Sequence, residues 1–249
     1  MKKLIINADD FGLTKGINKG VIKGIKEGIV SSTTVMINMP YAYEGIEILK
    51  SMGFKSAGVH LTLTAGSPTL PIDEIPSLVN NEGKFYKRRN ELFPKLLLED
   101  AEKELRNQIE LFIKAGLKPS HLDGHHHIQM YDGLREIVAK LAKEFNLPVR
   151  YANEETKKYL KQNNIITTDG FSMEFYGDKA CIDTIKENLM NFNGETFEFM
   201  CHPAFVDEEL MGLSSYNSYR GKELFILTNK DLMNWIKSNG FDLIGFNGL

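Results

Sequence analysis

All six histidines of this 249-residue chain fall in three short motifs. One is His60 in Gly58-Val59-His60-Leu61-Thr62, and another is His202 in Met200-Cys201-His202-Pro203-Ala204. The remaining four lie in the run His121-Leu122-Asp123-Gly124-His125-His126-His127. A carboxylate pair, Asp9-Asp10, ends the first apolar segment in Asn7-Ala8-Asp9-Asp10-Phe11-Gly12. Imidazole nitrogens and carboxylate oxygens are the donors of hydrolytic metal centres, where three protein ligands leave positions for water and substrate. Adjacent residues on an extended chain point to opposite sides, so one of Asp9 and Asp10 can bind a metal while the other reaches a water. Taken singly, an Asp-Asp pair is more often a turn or a helix cap, and a lone strand histidine such as His60 is more often a core residue. The recurrence of such residues at the ends of apolar runs favours a common site.

If the backbone stays extended through the histidine cluster, His121, Asp123, His125 and His127 share one face and His126 points away. Gly124 can bend that stripe, so periodicity does not choose between His125 and His127 as a ligand. Asp123 suits the role of an acceptor that fixes a histidine tautomer. His202, just before Pro203, suits a general acid placed across from a metal.

These residues need elements to position them. Residues 4–6 form a continuous apolar run, as in a strand covered on both faces. Thr14 offers an N-cap to a helix whose inward face carries Ile17, Val21 and Ile25, with Gly16, Gly20 and Gly24 lying close on a sheet. Further strands are expected over 32–37, 57–62, 120–123, 148–151, 196–201 and 241–246. Helices are expected over 41–52, 98–113, 134–145, 154–160, 182–190 and 232–238. Residues 65–94 hold Pro68, Pro71, Pro76 and Pro94 and break the rhythm as a long loop or small hairpin, with Phe85 and Tyr86 as candidate aromatic contacts. Alternating strands and helices imply a parallel sheet, open or closed into a barrel, in one domain over residues 1–249. Asp9-Asp10, His60, His125 and His202 then sit at strand carboxyl ends, the face on which such folds build active sites.

The formal charge of −3 gives no electrostatic case for nucleic acid or an anionic membrane. No apolar run reaches 18 residues, so no membrane span is expected. Two cysteines, Cys181 and Cys201, without metal-type spacing, fit a reducing compartment. With a first strand that starts at once, a cytoplasmic protein is expected.

The motifs around Asp9-Asp10, His121–His127 and His202 resemble the signatures of the YdjC-like carbohydrate deacetylase family, which includes chitooligosaccharide deacetylases. Ser31-Ser32-Thr33-Thr34, Gly170-Phe171-Ser172, Phe175-Tyr176-Gly177 and Tyr216 through Glu223-Leu224 extend the resemblance along the whole chain. It implies a distorted TIM-like (β/α) barrel holding one divalent metal, Mg²⁺ or Zn²⁺ with Mn²⁺ as a third option. It also implies Asp10, His60 and His125 as metal ligands, Asp9 as the catalytic carboxylate and His202 at the leaving group. His127, Tyr176 and Arg220 are the expected substrate contacts, with Arg220 either positioning the sugar or supporting an acidic residue. Two departures are Gly124, where some relatives carry Ser, and Gln129, where some carry a further His. The expected substrate is a small acetylated amino sugar such as diacetylchitobiose, and the expected assembly a homodimer. The competing readings are a metal-dependent phosphoesterase, which would want more ligands and basic groups, and a sugar-binding protein without turnover.

Overall fold

A computed structural model describes residues 1–249. The chain begins with β1 (Lys2–Phe11), α1 (Lys15–Glu27), β2 (Ser32–Val35), α2 (Ala42–Ser51) and β3 (Ser56–Leu61). Next come α3 (Arg89–Leu92), α4 (Leu98–Lys114), β4 (Lys118–Gly124), α5 (Leu134–Phe145) and α6 (Glu154–Gln162). The last third holds β5 (Gly170–Ser172), α7 (Ile182–Asn191), β6 (Thr196–Cys201), α8 (Glu208–Leu213), α9 (Ser218–Leu227), α10 (Lys230–Ser238) and β7 (Phe241–Leu243). Two units result, one of Met1–Thr34 with Thr168–Leu249 and one of Val35–Thr167. No helix is long and apolar enough to cross a membrane.

In the first unit β1 is the central strand. It pairs in parallel with β6 and with β7, and β5 pairs in parallel with β6. Leu4, Ile5 and Ile6 are fully buried, as their unbroken apolar run requires. The strand runs on to Phe11, so Asp9 and Asp10 belong to its last residues rather than to a following loop. Thr14 caps α1 through its side-chain oxygen, which accepts from the Ile17 N–H at 3.2 Å. The glycine stripe of α1 meets the chain after β6. A Cβ on Gly20 would stand 2.4 Å from the Ala204 Cα and 2.8 Å from the Pro203 carbonyl oxygen. Both obstacles are backbone and cannot rotate away. Gly20→Ala is therefore expected to destabilise the protein by roughly 1–3 kcal/mol through overpacking, read as a shift in the urea midpoint; an unchanged midpoint would contradict this packing.

In the second unit β3 and β4 pair in parallel and set His60 opposite Asp123. Helix α4 buries Ala101, Leu105, Ile109 and Phe112 as its spacing predicts, while Leu98 and Ile113 at its ends stay exposed. It also buries Glu104 and Gln108, one turn apart. Gln108 accepts from the Thr62 N–H at 2.9 Å and donates to the Thr62 carbonyl at 2.7 Å, so its amide continues the ladder just past the end of β3. Glu104 accepts from the Thr69 and Leu70 N–H groups and from the Gln108 amide. Burial pushes its carboxyl upward, against the pull of those hydrogen bonds. Asp100 takes the Ser77 N–H and hydroxyl. The 65–94 segment is thus pinned along α4, with one antiparallel bridge, Val79 to Phe85, as its hairpin. Phe85 is buried and so is not an aromatic contact for a ligand.

Several expected elements change. The strand at 148–151 shrinks to a single bridge between Val149 and Leu122, because Pro148 lacks an N–H to extend the ladder. The last strand stops at Leu243 and a 3₁₀ turn, Phe246–Gly248, follows. Strand β5 and helices α3, α8 and α9 were not expected from the pattern. Each unit is nonetheless α/β, with parallel strands flanked by helices.

Candidate functional site

The register of β1 and β6 sets Ala8 opposite Cys201, so Asp9 lies level with His202, the first residue past β6. Both aspartates are almost fully buried. Asp10 departs from the simple alternation expected for adjacent strand residues. Its φ of 65° lies in the left-handed region, which Asp tolerates better than most residues. Asp9 Oδ1 accepts from Asn7 Nδ2 at 2.8 Å, and the same amide reaches Thr34 Oγ1 at 3.1 Å. Asp10 Oδ2 accepts from Arg220 Nη2 at 2.6 Å, and Arg220 Nε donates to the Tyr216 carbonyl at 2.7 Å. Arg220 is thus paired with an acidic residue of the candidate site.

Three residues after Arg220 on α9, the fully buried Glu223 accepts from the His202 main-chain N–H and from the Tyr216 hydroxyl. Burial pushes the Glu223 carboxyl up to about 7, although the Tyr216 and His202 hydrogen bonds and the Arg220 charge draw it down. Burial and the Glu223 carboxylate push the Tyr216 phenol upward in turn. The Tyr216 ring stacks on Tyr176 at 3.9 Å and 12°, and Tyr219 stacks beyond it at 5.8 Å. His202 meets Tyr176 and Tyr216 edge to face, at 5.7 Å and 5.5 Å. Tyr176 keeps 45% of its surface exposed, a free aromatic face beside a half-buried imidazole.

The second unit gathers the other histidines. His60 Nδ1 lies 2.8 Å from Asp123 Oδ1, with both side chains buried. Arg150 Nη1 lies 2.8 Å from the other Asp123 oxygen and is itself fully buried. With the Arg150-paired Asp123 carboxylate as acceptor, His60 donates from Nδ1, the tautomer in which Nε2 keeps the lone pair. The His125 ring sits edge-on to His60 at 5.6 Å.

The extended stripe expected across the cluster does not form. β4 ends at Gly124, and a 3₁₀ segment, His125–Met130, follows with φ of 55° and 52° at His126 and His127. A Cβ at Gly124 would meet Gln129 Oε1 and Ile128 Cγ1 at 2.7 Å, so the turn is closed against the residues that follow it. His126 is consequently not turned away. Its ring lies 4.0 Å from that of His125, and its Nδ1 is 2.8 Å from Thr64 Oγ1. His121 is fully buried beside the Ser120 hydroxyl, a core position. His127 is half-buried. Arg89, from the pinned 65–94 segment, donates to the His126 carbonyl at 3.0 Å, which ties that segment to the histidine turn.

Hydrophobic pattern and motif spacing do not mark Arg150 or Glu223 as site residues, and Glu223 enters the sequence reading only through the resemblance. Each carried a legible signal: a charge inside the apolar run Leu147-Pro148-Val149-Arg150, and a carboxylate beside Leu224 on a helical apolar face. Buried charges of this kind are retained only where they are paired.

A model of the YdjC-like protein family matches residues 3–238. A carbohydrate deacetylase of Clostridium beijerinckii is 39% identical over 246 residues, covering 98% of each chain. The crystal structure of an Enterococcus faecalis protein, described as a candidate cellobiose-phosphate cleavage protein, superposes with a TM-score of 0.94 at 36% identity, over 99% of this chain and 98% of that one. A family 4 carbohydrate esterase of Streptomyces lividans, solved with acetate, superposes at a TM-score of 0.51 and 12% identity over 96% and 90% of the two chains, a likeness in fold alone. These matches bear out the TIM-like α/β class expected from the sequence.

Proposed function

Since the chain belongs to the YdjC-like family, we propose that it is a metal-dependent carbohydrate deacetylase. It hydrolyses the N-acetyl group of an acetylated amino sugar, a short chitooligosaccharide such as diacetylchitobiose. Asp10, His60 and His125 would hold one divalent ion, Mg²⁺, Zn²⁺ or Mn²⁺, with donors of the right chemistry for each. The observation that carries this reading is the buried Asp123 on His60 Nδ1, which leaves Nε2 as the ligating atom. When bound, such an ion polarises the acetyl carbonyl and acidifies water.

The chain's own residues supply the rest. Asp9, held through Asn7, accepts the proton of the attacking water. His202 gives a proton to the nitrogen as the C–N bond breaks. Arg220 donates to Asp10 Oδ2 and holds that carboxylate in place beside the sugar. The exposed face of Tyr176 offers a platform for the C–H face of a sugar ring. His127 completes the substrate contacts with a ring nitrogen for a hydroxyl. Residues 1–249 act as one catalytic domain in this reading, as a family match that nearly spans them supports. The reading also takes the enzyme to be a cytoplasmic homodimer, and its two free cysteines fit a reducing compartment.

The test is acetate release from diacetylchitobiose and a panel of acetylated sugars, alongside metal content. One bound ion per chain and chelator-sensitive acetate release are expected. Phosphate release from phosphate esters without acetate, or neither product with metal bound, would overturn the assignment.

A further inference from the structure

Glu223 occupies a place where a carboxyl is costly. It is fully buried on α9, where removal from water must be offset by hydrogen bonds to both oxygens. Those bonds are made, and neither goes to a solvent-exposed group: Oε2 takes the His202 main-chain N–H and Oε1 takes the Tyr216 hydroxyl. The Tyr216 hydroxyl also accepts from the Gly177 N–H at 2.9 Å, which ties down the residue after Tyr176.

The segment after His202 is fixed as well. Pro203 sets its own backbone angle, the Ala204 N–H donates to the Arg220 carbonyl at 3.2 Å, and the Phe205 N–H to the Gly16 carbonyl at 3.0 Å. One carboxyl thus grips the backbone of His202 and the ring against which the His202 imidazole rests.

We propose that Glu223, acting directly and through Tyr216, is a positioning residue that fixes the His202 imidazole for proton delivery to the leaving nitrogen. This rests on the deacetylase reading and adds to it a pair of residues that touch neither substrate nor metal. The physical case is that an imidazole at a strand end has two side-chain torsions that must be set for proton delivery. Its main chain is restrained here by one Glu223 oxygen, and its ring by the Tyr176–Tyr216 stack that the other oxygen holds in register. Proton transfer falls off steeply once donor and acceptor leave hydrogen-bond reach, so loosening either restraint lowers turnover without removing the acid.

The decisive measurement is a double-mutant cycle on diacetylchitobiose with His202→Ala, in the full-length metal-loaded protein. Glu223→Gln keeps the shape but sets an NH₂ against an N–H or O–H donor, and Tyr216→Phe keeps the ring while removing the bond to Glu223. Each alone is expected to lower kcat by about tenfold or more with KM changed less than about threefold. In the His202→Ala background neither is expected to lower kcat further, because the group they position is gone. Multiplicative losses in that background would mean a general structural role and overturn the inference, as would wild-type kcat in both single variants. Tyr216→Phe carries the same test if Glu223→Gln does not fold. Should the wild-type protein release no acetate from any acetylated sugar, the deacetylase reading itself fails, and this inference with it.

Discussion

His60→Ala is expected to leave the protein folded, without its divalent ion and with acetate release at background. The same outcome is expected for Asp10→Ala and His125→Ala, because a three-ligand site with open positions has no donor to spare. Elemental analysis after gel filtration, paired with an acetate assay, reads both consequences. Asp123→Asn makes a graded companion. It removes the carboxylate that sets the His60 tautomer and strands the buried Arg150 charge, so metal affinity or activity should fall by roughly 10–100-fold rather than vanish. His126→Ala should cost less than about tenfold, since its ring lies against His125 and the Thr64 hydroxyl rather than among the three proposed ligands. Stoichiometric metal in His60→Ala would end the three-ligand assignment.

Asp9→Asn should keep the metal yet lose turnover on the order of 10²–10⁴-fold, the usual worth of a proton-transfer group. The substitution is nearly isosteric, and its amide oxygen can still accept from Asn7 Nδ2. What disappears is the capacity to take up a proton. His202→Ala should incur a comparable loss, also with metal intact. The two variants differ in which limb of the kcat–pH profile they remove. A base works deprotonated, so Asp9→Asn should abolish the acid limb. An acid works protonated, so His202→Ala should abolish the alkaline one. Wild-type rates at every pH in either variant would remove that residue from the chemistry.

The fold class and the places where chemistry gathers are legible in the chain by itself. Leu4-Ile5-Ile6 forms a buried strand because an unbroken apolar run has nowhere else to go, and Thr14 starts a helix because its hydroxyl satisfies a free N–H. The pairing of Asp123 with a histidine is likewise foreseeable, since an imidazole ligand needs its second nitrogen held. Local pattern cannot carry the alternation through Asp10, His126 and His127. It assumes extended backbone, and all three adopt positive φ. Nor does it reveal that α9 supplies the partners of Asp10 and His202, because Arg220 and Glu223 lie 210 and 21 residues from them in sequence. A side chain's type declares what chemistry it can do. Which buried charge neutralises which, and at what angle an imidazole is held, is decided only when distant segments pack and each polar group must find a partner away from water.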